Sequence, residues 1–181
     1  MVRVEPIKNK KNVIKIINEL KKGNERNVIL FKIGIYTGLR IEDILRLKVK
    51  NINGNTLEIQ QGKTKKYKRI QLNEDLRKSL KEYIKGKGQE EYIIKSRNGF
   101  NKPLSYTQAY RIIKSAIKKA RIKGNYATHS LRKTYAYALY ENNDLSIVQG
   151  ALDHENQLTT LKYIGVTDEE INRATMNIKF D

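Results

Sequence analysis

Both histidines of the chain, His129 and His154, fall between Thr128 and Ile164, with Arg132 three residues after the first and Tyr163 nine residues after the second. An imidazole can take or give a proton near neutral pH, and the planar fork of an arginine matches a phosphate. A tyrosine oxygen can act as a nucleophile, but its free pKa of about 10 means that it needs nearby cations and a proton acceptor. The four residue types therefore suit attack on a phosphate. Two further basic residues stand in short motifs elsewhere, Arg40 in TGLR and Lys63 in GKTKK. Each residue alone has a plainer reading. Tyr163 is one of eleven tyrosines, His129 could cap a helix, Arg40 could bind an acid, and Lys63 could guard a hairpin edge.

The chemistry has to be carried by a chain of 181 residues, about one domain in length. Lysine and arginine total 37 against 19 acids, for a net charge of +18 and a pI near 9.9. Such a field attracts a polyanion such as nucleic acid, although a solvated lysine surface would also account for it. With no cysteine there is neither a disulfide framework nor a thiolate metal site, and two histidines are too few for most zinc sites. No apolar run suits a signal peptide or a membrane span, so a cytoplasmic protein without membrane contact is expected.

The positioning elements follow from periodicity. Apolar residues at Val13, Ile14, Ile17 and Leu20 predict an amphipathic helix over about 8–22, and a second helix over about 25–36 stops near Gly38. Ile41, Ile44, Leu45 and Leu47 give a short helix with Arg40 in the turn before it. TLEIQQ and YKRIQL read as a hairpin with Gly62, Lys63, Lys65 and Lys66 near its tip. Asn73 caps a helix over 74–84, and YIIK from Tyr92 reads as a short strand. Ser105 and Gln108 form a capping box for a helix whose stripe Ala109, Ile112, Ile113, Ala116, Ile117 and Ala120 faces inward. Its other face carries Arg111, Lys114, Lys118 and Arg121 without an acid, a pattern suited to DNA phosphates. A helix over 128–142 turns Leu131, Tyr135, Ala138 and Leu139 inward, a short helix follows Asp144, and a third from about Asn156 carries Tyr163 near its end. Thr167 and Glu170 suggest a last capping box, with Ile171, Ala174 and Met176 beyond it.

Taken together, TGLR, GKTKKYKRIQL, HSLR and LDHENQLTTLKY resemble the motifs of the tyrosine recombinase, or phage integrase, catalytic domain, over nearly the whole chain. The resemblance implies an α+β, predominantly helical fold: a single compact catalytic domain, residues 1–181, with a small antiparallel sheet or hairpin packed at one side of the helices. It implies a site-specific recombinase that cleaves and rejoins DNA through a 3′-phosphotyrosyl intermediate, independent of metal, ATP or any other cofactor. The catalytic residues would be Arg40, Lys63, His129, Arg132, His154 and Tyr163, braced by Asp43. Tyr163 would be the nucleophile, the arginines and His154 would bind the non-bridging oxygens, His129 would relay the tyrosine proton, and Lys63 would protonate the departing 5′ oxygen. Arg111, Lys114, Lys118, Arg121, Lys65 and Lys66 would meet the DNA.

Two departures from the family pattern stand out. The N-terminal core-binding domain common in the family has no counterpart in 1–181, and Asp153 stands where glycine usually precedes the second histidine. The expected partner is double-stranded DNA, with a monomer in solution, a multimer on DNA, and an accessory or full-length recombinase as a further partner. A bacterial or phage-type, nucleoid-associated setting is expected. A topoisomerase IB-like nicking and resealing activity, or a non-catalytic DNA-binding regulator, are the alternatives.

Overall fold

The computed structural model describes residues 4–165, 172 and 175–177. Its first three helices are α1 (Lys10–Lys21), α2 (Glu25–Thr37) and α3 (Ile41–Leu45), followed by a 3-10 turn at Val49–Asn51. Strands β1 (Ile52–Asn53), β2 (Thr56–Gln60) and β3 (Tyr67–Gln71) come next, then α4 (Glu74–Tyr83), α5 (Tyr106–Lys119), α6 (Thr128–Tyr140), α7 (Leu145–Leu152) and α8 (Gln157–Ile164). Asparagine side chains cap α1, α2, α4 and α8 from Asn9, Asn24, Asn73 and Asn156, each accepting from a backbone N–H that the helix leaves unpaired. Ser105 and Gln108 form the expected capping box of α5.

Helix α2 is the axis of the fold. Val28, Ile29, Leu30, Phe31, Ile33 and Ile35 bury all sides of it, and it packs against α1, α4 and α6. The crossing with α6 is close because Gly34 has no side chain: a Cβ there would come within 2.7 Å of Leu131. α2 then ends on Gly38 in the left-handed conformation, φ +63°, a turn that glycine makes without steric cost. A second, smaller apolar cluster of Ala136, Val148, Leu152 and Ile164 joins α6, α7 and α8.

The sheet has the order β1-β2-β3 and is antiparallel throughout. Leu57 pairs with Ile70 and Ile59 with Lys68, so the alternation of the strands puts Lys68 on the face of Leu57 and Ile59, which are buried. The residue following β2, Gln61, is buried as well, at 1% exposure.

Three expectations about local structure are corrected. Tyr92 to Lys95 is no strand: isolated bridges Lys48↔Tyr92 and Lys95↔Pro103 flank a turn, because the chain folds over to bury Ile93 and Ile94. In α1 the buried residues are Ile16 and Leu20, while Ile14 is 57% exposed, so the inward face is rotated from the one the apolar spacing suggests. In α6 Ala138 is exposed and Ala136 buried, and the helix encloses polar Ser130, Arg132, Lys133 and Thr134. Those polar residues have partners: Ile7 N donates to Thr134 Oγ1 at 2.8 Å and Lys133 Nζ donates to Val4 O at 2.7 Å, so the N-terminal segment straps this face. The capping box at Thr167 and Glu170, with Ile171 and Ala174, lies outside the described residues, whereas Met176 is exposed. No described helix is long and apolar enough to cross a membrane.

A Cβ at Gly38 would lie 2.3 Å from the Tyr135 ring. Gly38→Ala is therefore expected to lower stability by about 2–4 kcal/mol, from left-handed strain plus overpacking, as read by urea denaturation. A midpoint equal to that of the parent would contradict this packing.

Candidate active site

Arg132, near the start of α6, is buried at 2% exposure. Its Nη1 donates to Gly38 O and its Nη2 to Leu152 O at 2.6 Å. Those carbonyls sit at the C-terminal ends of α2 and α7, where helices leave acceptors unpaired and the helix dipole favours a cation. The buried charge is thereby matched. Arg40 follows Gly38 by two residues and His154 follows Leu152 by two, so one guanidinium fixes the turns that carry both. The Arg132 Nε is buried without a hydrogen-bond partner among the described residues.

Tyr163, in the last turn of α8, lies against this group. Its ring centre is 4.5 Å from that of His154 and 5.1 Å from that of His129, both edge-on, and 5.9 Å from the Arg132 guanidinium carbon. Lys133 Nζ lies 5.8 Å from the same ring. His154 Nδ1 is 3.1 Å from the Oγ1 of Thr160, itself fully buried one turn before Tyr163. Five of the six residues singled out in sequence, Arg40, His129, Arg132, His154 and Tyr163, form one cluster, for Arg40 acts electrostatically on Arg132 and on both imidazoles.

Lys63 stands apart, exposed in the β2–β3 turn. The turn itself is anchored to the cluster. Asp43, 2% exposed on α3, accepts from Gly62 N at 2.9 Å and from Arg46, so the expected brace ties the residue before Lys63 to the helix after Arg40. Arg40 Nη1 donates to Gln61 Oε1 at 3.2 Å. Lys65 and Lys66 are exposed beside Lys63. On α5, Arg111 and Lys118 are exposed and Lys114 half-buried, with Arg121 just beyond the helix end. Arg111, Lys118, Arg121 and Lys119, the last residue of α5, border clefts shared with Glu19 and Lys22 at the end of α1, and none of the tyrosine cluster lines them, whereas Tyr106 Oη at the start of α5 lies 3.5 Å from Thr128 Oγ1.

The structure adds residues that sequence reasoning passed over. Lys68 Nζ donates to Asp153 Oδ2 at 2.7 Å and to Ala151 O, and Gln61 Nε2 donates to the same carboxylate oxygen at 2.9 Å. A signal for Lys68 was present: in YKRIQL it shares the face of Ile70, and a lysine on an inward face needs a partner. Gln61, Thr160 and Lys133 carry no such mark.

Burial, with neighbouring positive charge second to it, sets the protonation states. Burial, then Arg132 and Arg40, hold His154 down at about 4. Burial, then Lys133 and Arg132, also lower His129. Both imidazoles are therefore neutral near pH 7. Burial, reinforced by Arg40, lowers Arg132, which stays charged. Burial lowers Lys68 despite Asp153, with Arg132 and Arg40 acting in the same direction. Burial alone would raise Asp153, but Lys68 and Gln61 outweigh it and keep the carboxylate ionised. Among the described residues no three histidine, aspartate or glutamate side chains gather as a metal site.

A tyrosine thus lies against two imidazoles and a guanidinium whose Nε has no partner among the described residues, a set of groups that could take a phosphate. Comparison with known proteins agrees: the Phage integrase family matches residues 8–170, and the chain belongs to that family. It is 36% identical over 177 residues to "Probable integrase/recombinase YoeC" of Bacillus subtilis (strain 168), covering 97% of this chain and 96% of that protein. It is 29% identical over 167 residues to "Tyrosine recombinase XerA" of Pyrococcus furiosus, covering 90% of this chain and 58% of that one. Against relatives of the latter kind the chain spans about half the length. The crystal structure of XerA recombinase shares the fold with a TM-score of 0.80 at 18% identity, over 99% of this chain and 66% of that one. A lambda integrase dimer bound to a COC' core site does so with 0.76 at 19% identity, over 100% and 53%. These likenesses bear out the helical α+β fold with its small antiparallel sheet.

The depressed imidazole values give stability a definite pH dependence. An unfolded histidine titrates near 6.5 and so binds more protons than native His154 between about 4 and 6.5. Stability contributed by the neutral form is present above that window and is lost as the pH falls through it. NMR titration of the parent should place His154 near 4, and urea stability should fall on acidification less steeply in His154→Asn. A His154 titration at or above 6.5 would contradict the electrostatic description.

Proposed function

We propose that this chain is the catalytic domain of a site-specific DNA recombinase that cuts and rejoins strands through a 3′-phosphotyrosyl intermediate. The observation that carries the reading is the placement of Tyr163 against His129, His154 and Arg132 in a member of the phage integrase family. The buried Arg132 Nε supports it, since a buried donor without a protein acceptor suits an oxygen brought by a ligand.

In this reading the scissile phosphate lies between Arg40 and Arg132, and the Arg40 fork and the Arg132 Nε donate to the non-bridging oxygens as negative charge grows on them. His154 Nδ1 pairs with the Thr160 hydroxyl at 3.1 Å, and in the tautomer where that hydroxyl is the donor the ring proton is on Nε2, ready for donation to the same oxygens. Tyr163 attacks phosphorus, its proton passes to neutral His129, and the bond to the 5′ oxygen breaks. Lys63, reaching in from its turn, protonates that oxygen. Rejoining reverses the steps, with a 5′ hydroxyl attacking the phosphotyrosine. Asp43 keeps the turn and the arginine helix in register. No step calls for a metal or nucleotide.

Solved relatives are described as bound to DNA as a dimer on a core site and as a tetramer on a Holliday junction. We extend this to the present chain: double-stranded DNA is its partner, met by Arg111, Lys114, Lys118, Arg121, Lys65 and Lys66. It is a monomer in solution and a multimer on DNA, with an accessory or full-length recombinase as a further partner. Its place is the cytoplasm, at the nucleoid of a bacterial or phage-type host. Neither topoisomerase-like activity nor a non-catalytic regulator is favoured, since the named relatives are recombinases and no expected side chain is missing.

Incubation with sheared genomic DNA of the source organism in EDTA should give a protein–DNA adduct that survives detergent, with none from Tyr163→Phe. Adduct from the variant, or its loss on chelation, would contradict the mechanism. Binding should fall with salt at a log-log slope near −7 if about 8 phosphates are neutralised. A slope near zero would contradict DNA as the partner.

A further inference from the structure

Asp153 closes α7 in the left-handed conformation, φ 54° and ψ 40°, where a residue with a Cβ is strained by roughly 1 kcal/mol and glycine is not. The strain accompanies a set of contacts that glycine could not make. The Asp153 Oδ2 accepts from Lys68 Nζ at 2.7 Å and from Gln61 Nε2 at 2.9 Å, bridging β3 and the end of β2 to the turn before His154. With its amino group committed to a carboxylate, which can only accept, the Gln61 amide must present its oxygen in the opposite direction. That oxygen takes Arg40 Nη1 at 3.2 Å and Thr64 Oγ1 at 2.7 Å. If the amide turned over, two donors would face each other at Arg40.

We propose that Asp153 is a positioning residue for Arg40: pinned by Lys68, its carboxylate fixes the orientation of Gln61, and Gln61 aims the Arg40 guanidinium. The proposal rests on the recombinase reading for what Arg40 does, but not for how Arg40 is held. Thr64, one residue after Lys63, is bonded to the same amide, so the relay also steadies the turn that carries the lysine. Glycine at 153 would suit the backbone better and would leave Gln61 free to turn.

The test has two arms. In the DNA-free protein, nitrogen-15 NMR should show the Gln61 side-chain amide and the Arg40 guanidinium shifting together in Asp153→Gly and returning toward the parent in Asp153→Asn, whose side-chain oxygen can accept from Gln61. Arg40 signals unchanged in Asp153→Gly would overturn the proposal. On a cleavable DNA recovered by covalent trapping, Asp153→Gly and Gln61→Leu should each slow adduct formation by about 10- to 100-fold, as expected for a misplaced catalytic group. Their effects should not add, because they break one relay. DNA affinity should stay within about 2-fold, since uniform binding is untouched. The defect should shrink when the scissile phosphate is a neutral methylphosphonate, which needs less help from Arg40; a structural defect would persist. Full-rate cleavage by Asp153→Gly, or an undiminished defect on the neutral phosphate, would overturn the proposal. Absence of any adduct from the parent protein would instead refute the recombinase reading, and the NMR arm would still decide whether Asp153 orients Arg40.

Discussion

The arrangement depends on one buried cation answering two helix ends. Arg132 alone would be costly to bury, and the terminal carbonyls of α2 and α7 would be costly to leave unpaired in the interior. Joined, they satisfy each other, and the join fixes where the chain goes next: Gly38 leads to Arg40 and Leu152 leads to His154. The close approach of α6 to α2 at Gly34 brings the guanidinium within reach. Local sequence therefore sets the site through backbone carbonyls more than through contacts between the functional side chains themselves.

Electrostatics completes the arrangement. Burial is the larger cause of the lowered imidazole values, and Arg132 and Arg40 at both rings and Lys133 at His129 add to it, opposed by Glu42 at His129 and by Asp153 at His154. A bound phosphate would supply the missing negative charge and raise both pKa values. That coupling suits the proposed reaction, in which His129 would take a proton from Tyr163 and return it on rejoining. The overall charge of +18 would draw DNA toward the protein, while the local excess would select its phosphate.

Much of this was legible from sequence, for identifiable reasons. Helix caps at Asn73 and Ser105 are local hydrogen bonds, and the α5 stripe follows the helical repeat, so both could be read in a short window. The clustering of Arg40, His129, Arg132, His154 and Tyr163 was legible through motifs, and the proximity of the two imidazoles to Tyr163 matches it. What escaped was determined at long range. Gln61 and Asp153 are 92 positions apart, and Lys133 meets Val4 across 129. Polar burial on α6 was missed because periodicity counts apolar residues only, whereas here a strap and an active site cover that face. Lys68 lay in between: its inward position followed from strand alternation, but not its partner.

The central claim is that the Tyr163 oxygen is the nucleophile that bonds to the phosphorus as the 5′ oxygen leaves. The most direct measurement is to digest the covalent adduct with nuclease and protease and locate the remaining nucleotide by mass spectrometry. The account predicts a 3′-linked nucleotide on Tyr163 and on none of the other tyrosines. Attachment to a different residue, or through a 5′ phosphate, would contradict it.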